Sequence, residues 1–316
     1  MKKIVFITAF LVLLASCQHK PDFDRDFHIT LDGDNTYVAG EPVKFNINGS
    51  IGNILFYSGE PGAEYEHRDR FYLSEDDIES ATLILEIQPR YKGDVYPGGL
   101  DIYVTDRFEG LLWNDGDQDR QTVEAMSDGM QSWKKLEYTV ASSAEWIGHQ
   151  YDVTEYVDNF ALAMHWHPQI GEWGKYMVNG DILVRPKGGL PDMTYDIKEI
   201  GLSVLNMPAS YEPYKTGSEV GMVNFNSSDG EVAFMGSTGI DYQVDSWLFS
   251  TPAPVCRMEG DAGLVIKNLR NDIDSFEYSW ETPGLYKVVF VSVDYAAGVD
   301  RRIISEFNIN IVASIK

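Results

Sequence analysis

Positive charge is scarce in this 316-residue chain: 25 lysines and arginines stand against 49 aspartates and glutamates, a formal net charge of −24. A surface this negative repels phosphate backbones and anionic lipid, which argues against nucleic acid as a partner and makes strongly anionic glycans poor ones without a local basic patch. Cysteine is scarcer still, with Cys17 and Cys256 alone. A disulfide-stapled framework is thereby excluded, and stability must come from packing. No G-x-S-x-G elbow, phosphate-binding loop or cysteine–histidine arrangement marks a nucleophile, and Cys256 in "TPAPVCRM" reads as a packed thiol. Helical periodicity is weak throughout, the clearest short candidate being residues 154–157. What is plentiful is apolar and aromatic side chain, 44% and 13% of the chain. That is enough to bury a full core, and the length suggests about two domains.

The first cysteine is explained by its flanks. Lys2 and Lys3 give a positive start, residues 4–14 are almost unbroken hydrocarbon, and Leu14-Ala15-Ser16 offers the small residues a signal peptidase needs. The apolar run is well short of the ~20 residues a bilayer demands, so it reads as an export signal over residues 1–16 and not as a membrane span. The pattern resembles a bacterial lipobox, which implies that Cys17 is lipidated and anchors the chain. Lipid contributes about 0.8 kcal/mol per buried methylene, so a multiply acylated cysteine holds a soluble domain at a membrane durably. Cleavage there removes only Lys2 and Lys3 and takes the charge from −24 to −26. Asp22, Asp24 and Asp26 then make residues 17–26 a solvated acidic tether. This tether resembles the tag that sends Bacteroidetes-type lipoproteins to the outer face of the outer membrane.

Strands dominate the rest, and the expectation is an all-β protein. "EPVKFNI" alternates Val43, Phe45 and Ile47 on one face, and "ATLILEI", "LDIYVTD", "LYKVVFVSV" and "SEFNINIV" keep the same period of two. The opening strands around Gly40 and Gly49 resemble the start of an immunoglobulin-like sandwich of the polycystic-kidney-disease type, but stop short. The missing strands come at the C-terminus, where "FEYSWETPGLYKVVFVSVD" and "ISEFNINIV" resemble that fold's closing hairpin, with Pro283-Gly284 as its turn. We therefore expect a β-sandwich split into residues 27–72 and 246–316. The interior insertion, residues 73–245, is large enough for a second β-domain.

That insertion resembles the galactose-binding-like jelly rolls in "LDIYVTDRFEG", "YDVTEYVDNFALAMHWH" and "GKYMVNGDILV". With the lipobox and "NILFYSGEPGAEYEHRDR", nearly the whole chain resembles a family of surface lipoproteins found with starch-utilisation-like glycan importers. The resemblance implies a non-catalytic role in glycan capture beside outer-membrane importer proteins, with the lipid anchor as the chain's only membrane attachment and no organic cofactor. Two rival readings stay open: a glycoside hydrolase or polysaccharide lyase, since the chain has many acids, and a structural or adhesive module that binds another protein.

Three stretches carry candidate chemistry. "HWHPQIGE" sets His165 and His167 two apart on a strand, hence on one face, with Glu172 beyond, the way cupin enzymes present a metal. A cupin needs a further histidine downstream, and none follows His167. Phe160, Leu162, Met164 and Trp166 form the buried face of that strand, leaving His165 and His167 to line a binding surface. "WNDGDQD" places Asp115, Asp117 and Asp119 at alternate positions, an oxygen-rich loop that suits calcium, although Met126 stands where an EF-hand loop has its glutamate. Sugars stack on exposed aromatics, and Trp113 and Trp173, both in loop contexts, are the candidates for that role, while Trp133, Trp146, Trp166, Trp247 and Trp280 read as core.

Overall fold

The computed structural model describes residues 26–91, 98–127, 132–141, 144–168, 174–217, 222–224, 231–236, 243–296 and 299–313. Cys17, Trp173 and Glu172 lie outside them. The protein is all-β. In chain order the described strands are β1 (His28–Leu31), β2 (Thr36–Val38), β3 (Pro42–Asn48), β4 (Asn53–Tyr57), β5 (Ile78–Tyr91) and β6 (Leu100–Thr105). After the helix α1 (Gly116–Ser127) come β7 (Lys134–Leu136), β8 (Ile147–Asp152), β9 (Ala161–Trp166), β10 (Gly174–Pro186), β11 (Met193–Asp196) and β12 (Ser203–Asn206). The series closes with β13 (Val223–Asn224), β14 (Val232–Met235), β15 (Ser246–Phe249), β16 (Leu264–Lys267), β17 (Ser275–Ser279), β18 (Gly284–Ala296) and β19 (Val299–Val312). Among the described residues no helix is long and apolar enough to cross a membrane.

Two compact units result. One joins the described residues up to Asp69 to those from Gly260 onward, and the other is Arg70–Glu259. The discontinuous unit has a three-stranded sheet, β1-β3-β17, and a five-stranded sheet, β16-β4-β18-β19-β2, in which β2 runs parallel to β19. Period-two alternation explains how they face each other. Val43, Phe45 and Ile47 of β3 are buried with Ile54 and Phe56 of β4 and Val288 and Phe290 of β18, and Phe45 meets the edge of Phe290 at 4.8 Å between ring centres. Trp280 is fully buried, and its indole N–H donates to the Ser58 carbonyl at 3.2 Å. Gly40 and Gly49 both take positive φ, +81° and +85°, as turn residues.

The continuous unit is also a two-sheet sandwich. Its six-stranded sheet runs β13-β14-β10-β5-β8 with β11 on β10, and its five-stranded sheet runs β12-β15-β9-β6-β7. Leu83, Leu85 and Ile87 from β5 and Tyr176, Val178 and Ile182 from β10 fill the core against Ile102, Leu162, Met164, Trp166 and Leu248 of the opposing sheet.

Two expectations are corrected here. Residues 246–259 belong to the continuous unit: β15 pairs with β12 and β9, Leu248 enters the core between the sheets, and Trp247 and Phe249 pack on the sheet's other side. All four residues of β15 are buried because both of its faces are covered, and such a run carries no sign of which sheet it joins. The boundaries therefore fall at 69/70 and 259/260. The second correction concerns Pro283-Gly284, which closes no hairpin. β17 pairs with β3 and β18 with β4 and β19, so this dipeptide carries the chain from one sheet to the other, and the hairpin is β18–β19.

Candidate functional site

The outer face of the five-stranded sheet in the continuous unit is divided along β9. Leu162, Met164 and Trp166 point into the sandwich, so Ala161, Ala163 and His165 point out. Over the two alanines, whose small side chains leave room, sits a second apolar layer of Phe108, Val123 of α1, Trp133, Leu205 and Phe249. Beyond it the same face turns polar. The register sets Asp101 of β6 and Trp247 of β15 directly opposite His165 on its two sides, and Tyr103 of β6 opposite Lys135 of β7.

These positions produce a connected cluster. His167 Nε2 lies 3.1 Å from Asp101 Oδ2, and Lys135 Nζ donates to Asp101 Oδ1 at 2.7 Å. His165 Nε2 meets Asp245 Oδ1 at 2.8 Å. The two imidazole centres are 4.3 Å apart, and His165 lies flat on Trp247 at 4.0 Å and 7°. Trp247 is buried between that ring and Phe249, so the aromatic stack fixes the imidazole from beneath. Asp101 is 25% exposed, His165 19% and His167 37%, so solvent reaches the polar atoms while the stems are held. The hydrogen bond from His167 and the Lys135 ammonium hold the Asp101 carboxyl well below the usual carboxylate range, against its partial burial. The bond to Asp101 raises Lys135 in turn, and burial followed by the Asp101 charge raises Tyr103.

The backbone next to the cluster is constrained. Gly99 has φ +87°, its carbonyl accepts the His167 N–H at 2.7 Å, and a Cβ on it would stand 2.6 Å from the Pro168 Cα. Only glycine fits that approach. Gly98 and Gly99 also line a cleft of about 460 Å³ that Asp101, Lys135, Glu137 and Tyr138 share. The chain thus places a carboxylate and an ammonium in the wall of a concave surface, with the imidazole of His167 bonded to that carboxylate, all on or beside strands.

The sequence singled out His165 and His167 and missed Asp101, Lys135, Tyr103 and Asp245. Asp101 and Tyr103 had a readable signal, since "LDIYVTD" puts them opposite the buried Leu100, Ile102 and Val104. Their meeting with β9 depends on strand pairing that spacing does not encode.

The aspartates of "WNDGDQD" do not converge. They open α1, an expected loop that is in fact a helix. Asp115 caps it, its carboxylate accepting the Gln118 N–H at 3.1 Å. Asp117 points to solvent beside Arg120, Oδ1 to Nη1 3.1 Å. Asp119 is 1% exposed and accepts from the Leu112 N–H, the Trp113 N–H and the Tyr214 hydroxyl at 2.8, 2.9 and 2.6 Å. Burial and the Asp119 carboxylate push the Tyr214 hydroxyl up to about 12. Among the described residues, two groups have ligand atoms close enough to share an ion: Asp101 with His165 and His167, and, in the discontinuous unit, Glu64 with His67 and Asp261.

Trp113 is half-buried, in a left-handed conformation at φ +57°, with its ring edge-on to Tyr214 at 5.7 Å. It belongs to the apolar layer over β9. Trp133, Trp166, Trp247 and Trp280 are buried as expected, whereas Trp146 is partly exposed. Cys256 is a buried thiol whose pKa is raised by that burial and then by the Asp158 charge.

A family profile described as a domain of unknown function (DUF5017) matches residues 16–145. The match takes in Asp101, Tyr103 and Lys135 and ends before His165. No curated protein and no solved structure matches the chain.

Proposed function

We propose that this protein is a lipoprotein of the outer-membrane surface, anchored through Cys17, that captures glycan without catalysis for a neighbouring importer. Its recognition surface is the polar half of the five-stranded sheet's outer face. The observation that supports this reading is the half-exposed set Asp101, Tyr103, Lys135 and His167, anchored on strands beside a cleft of about 460 Å³. Sugar hydroxyls are read by donors and acceptors of this kind, fixed in advance so that little ordering entropy is lost on binding. The single ammonium stands among carboxylates on an acidic chain, which suits a neutral glycan better than an anionic one.

Native gels cast with a panel of neutral and acidic polysaccharides test it, using the chain from Gln18 to Lys316. One glycan should retard the protein, and a Lys135→Ala, Tyr103→Phe variant should run free of that retardation, whereas Trp113→Ala should keep it. Retardation lost only with Trp113→Ala would move the site to the α1 end of the face. Shortening of the polysaccharide by the purified protein would replace capture with hydrolysis or elimination.

A further inference from the structure

We propose that Asp101, His165 and His167 form a binding site for one divalent first-row transition ion, open to solvent on the outer face of the sheet. The inference holds whether or not a glycan binds there.

Geometry is the first argument. One ligand atom from each of the three residues lies within 4.8 Å of the other two. Two ligands of a tetrahedral zinc ion, each ~2.0–2.1 Å from the metal, stand about 3.3 Å apart. His167 Nε2 and Asp101 Oδ2 are already 3.1 Å apart, so an ion can replace that hydrogen bond with little movement of either side chain.

The second argument is rigidity. His165 and His167 are two apart at the end of β9, which lies between β6 and β15 in the sheet. His165 is additionally clamped on Trp247 at 4.0 Å. A site whose ligands are held before the ion arrives loses little entropy on binding.

Ligand chemistry selects the metal. Two imidazoles and one carboxylate suit zinc, nickel, copper or iron, whereas calcium and magnesium prefer all-oxygen shells. The surroundings complete it. Lys135 holds Asp101 through Oδ1 and leaves Oδ2 to face His167, the way outer partners orient a ligating carboxylate. Asp245 adds a second carboxylate 2.8 Å from His165. Two carboxylates stand against one ammonium in the cluster, and the net charge of −24 adds a long-range attraction for cations.

Calorimetric titration of zinc chloride into tag-free protein, Gln18 to Lys316, tests the site directly. One ion per chain is expected, with no heat from calcium chloride at the same concentration. Asp101→Asn and His167→Gln, near-isosteric changes at partly exposed positions, should each weaken zinc at least about tenfold. His67→Ala, which removes the imidazole of the discontinuous unit's cluster, should leave the affinity within about threefold. Circular dichroism shows whether each variant is folded. As a second readout, copper should quench tryptophan emission in the native chain more than in Trp247→Phe, because His165 lies on that ring. No saturable zinc binding, zinc binding untouched by both near-isosteric variants, or binding lost in His67→Ala would each overturn the proposal.

Discussion

The acidic start of α1 and the cross-strand cluster on β6, β9 and the approach to β15 lie on one sandwich, and each uses chemistry-bearing residues spaced two apart. They end in opposite arrangements. A helix turns about 100° per residue, so positions two apart diverge by about 200°, and Asp115, Asp117 and Asp119 each face a different partner. A strand returns to the same face every second residue, and His165 and His167 come within 4.3 Å. Spacing of two is therefore a signal for convergence only once the backbone is known to be extended. The difference also sorts the roles. At the helix start, Asp119 is taken up by two backbone N–H groups and a tyrosine hydroxyl and Asp115 by the first turn, leaving Asp117 exposed by itself, whereas the cluster's carboxylates and imidazoles converge with polar atoms that solvent can reach.

The sharpest way to break this comparison is at Asp119. Replacing it with alanine leaves the N–H groups of Leu112 and Trp113 and the Tyr214 hydroxyl without their acceptor in a partly buried setting. A loss of about 3 kcal/mol is expected in denaturant unfolding. A loss below about 1 kcal/mol would mean that Asp119 is not the structural anchor of the α1 end.

A smaller and pH-dependent effect is expected at Asp101. Its carboxyl is depressed in the folded protein by the His167 hydrogen bond and by Lys135. A group whose folded-state pKa lies below its unfolded one adds stability that is complete above the unfolded value, near 4 for aspartate, and is lost as pH falls below it. Asp101→Asn should therefore be destabilised by about 1 kcal/mol at pH 6 to 7, as expected for one partly exposed charge-assisted cluster. Unfolding curves of the variant and the native chain should draw together below about pH 4. A gap that stayed constant across that range would show that the carboxylate's charge is not what stabilises the cluster.

The all-β class was legible because Val43, Phe45 and Ile47, and likewise Leu162, Met164 and Trp166, alternate with polar or small residues and are buried as that alternation demands. The discontinuous unit was legible because β2 to β4 together are too little to bury a core alone. Residues 246–259 were not, since a strand covered on both faces has no alternation to betray its sheet. α1 was missed for a different reason: among its described side chains only Val123 and Met126 pack into the apolar layer, too few for a 3.6-residue period to stand out. Its acidic first turn and Asp115 cap were present in the sequence as a helix-start signal, but an acidic stretch rich in Asp, Asn and Gly reads equally well as a solvated loop. At the cluster, the histidine pair was readable and its partners were not, because Asp101 is brought to His165 by register alone.

The smallest effect belongs to Asp117, and it separates the two regions most cleanly. Its side chain is 87% exposed, and surface ion pairs of this kind contribute ~0–1 kcal/mol. Arg120 does not depend on it for position, since its Nε donates to the Asn206 carbonyl at 2.9 Å and its Nη2 to the Tyr211 carbonyl at 2.9 Å. Asp117→Ala should thus shift stability by less than about 0.5 kcal/mol, with the same melting temperature in calcium and in chelator. If calcium instead raised the melting temperature of the native chain and the shift vanished in Asp117→Ala, the three helix-start aspartates would have to act together on an ion. The geometry argues otherwise: with Asp119 committed to three donors and Asp115 to the helix end, Asp117 alone is left free to take an ion, and one exposed carboxylate is too few ligands to hold calcium.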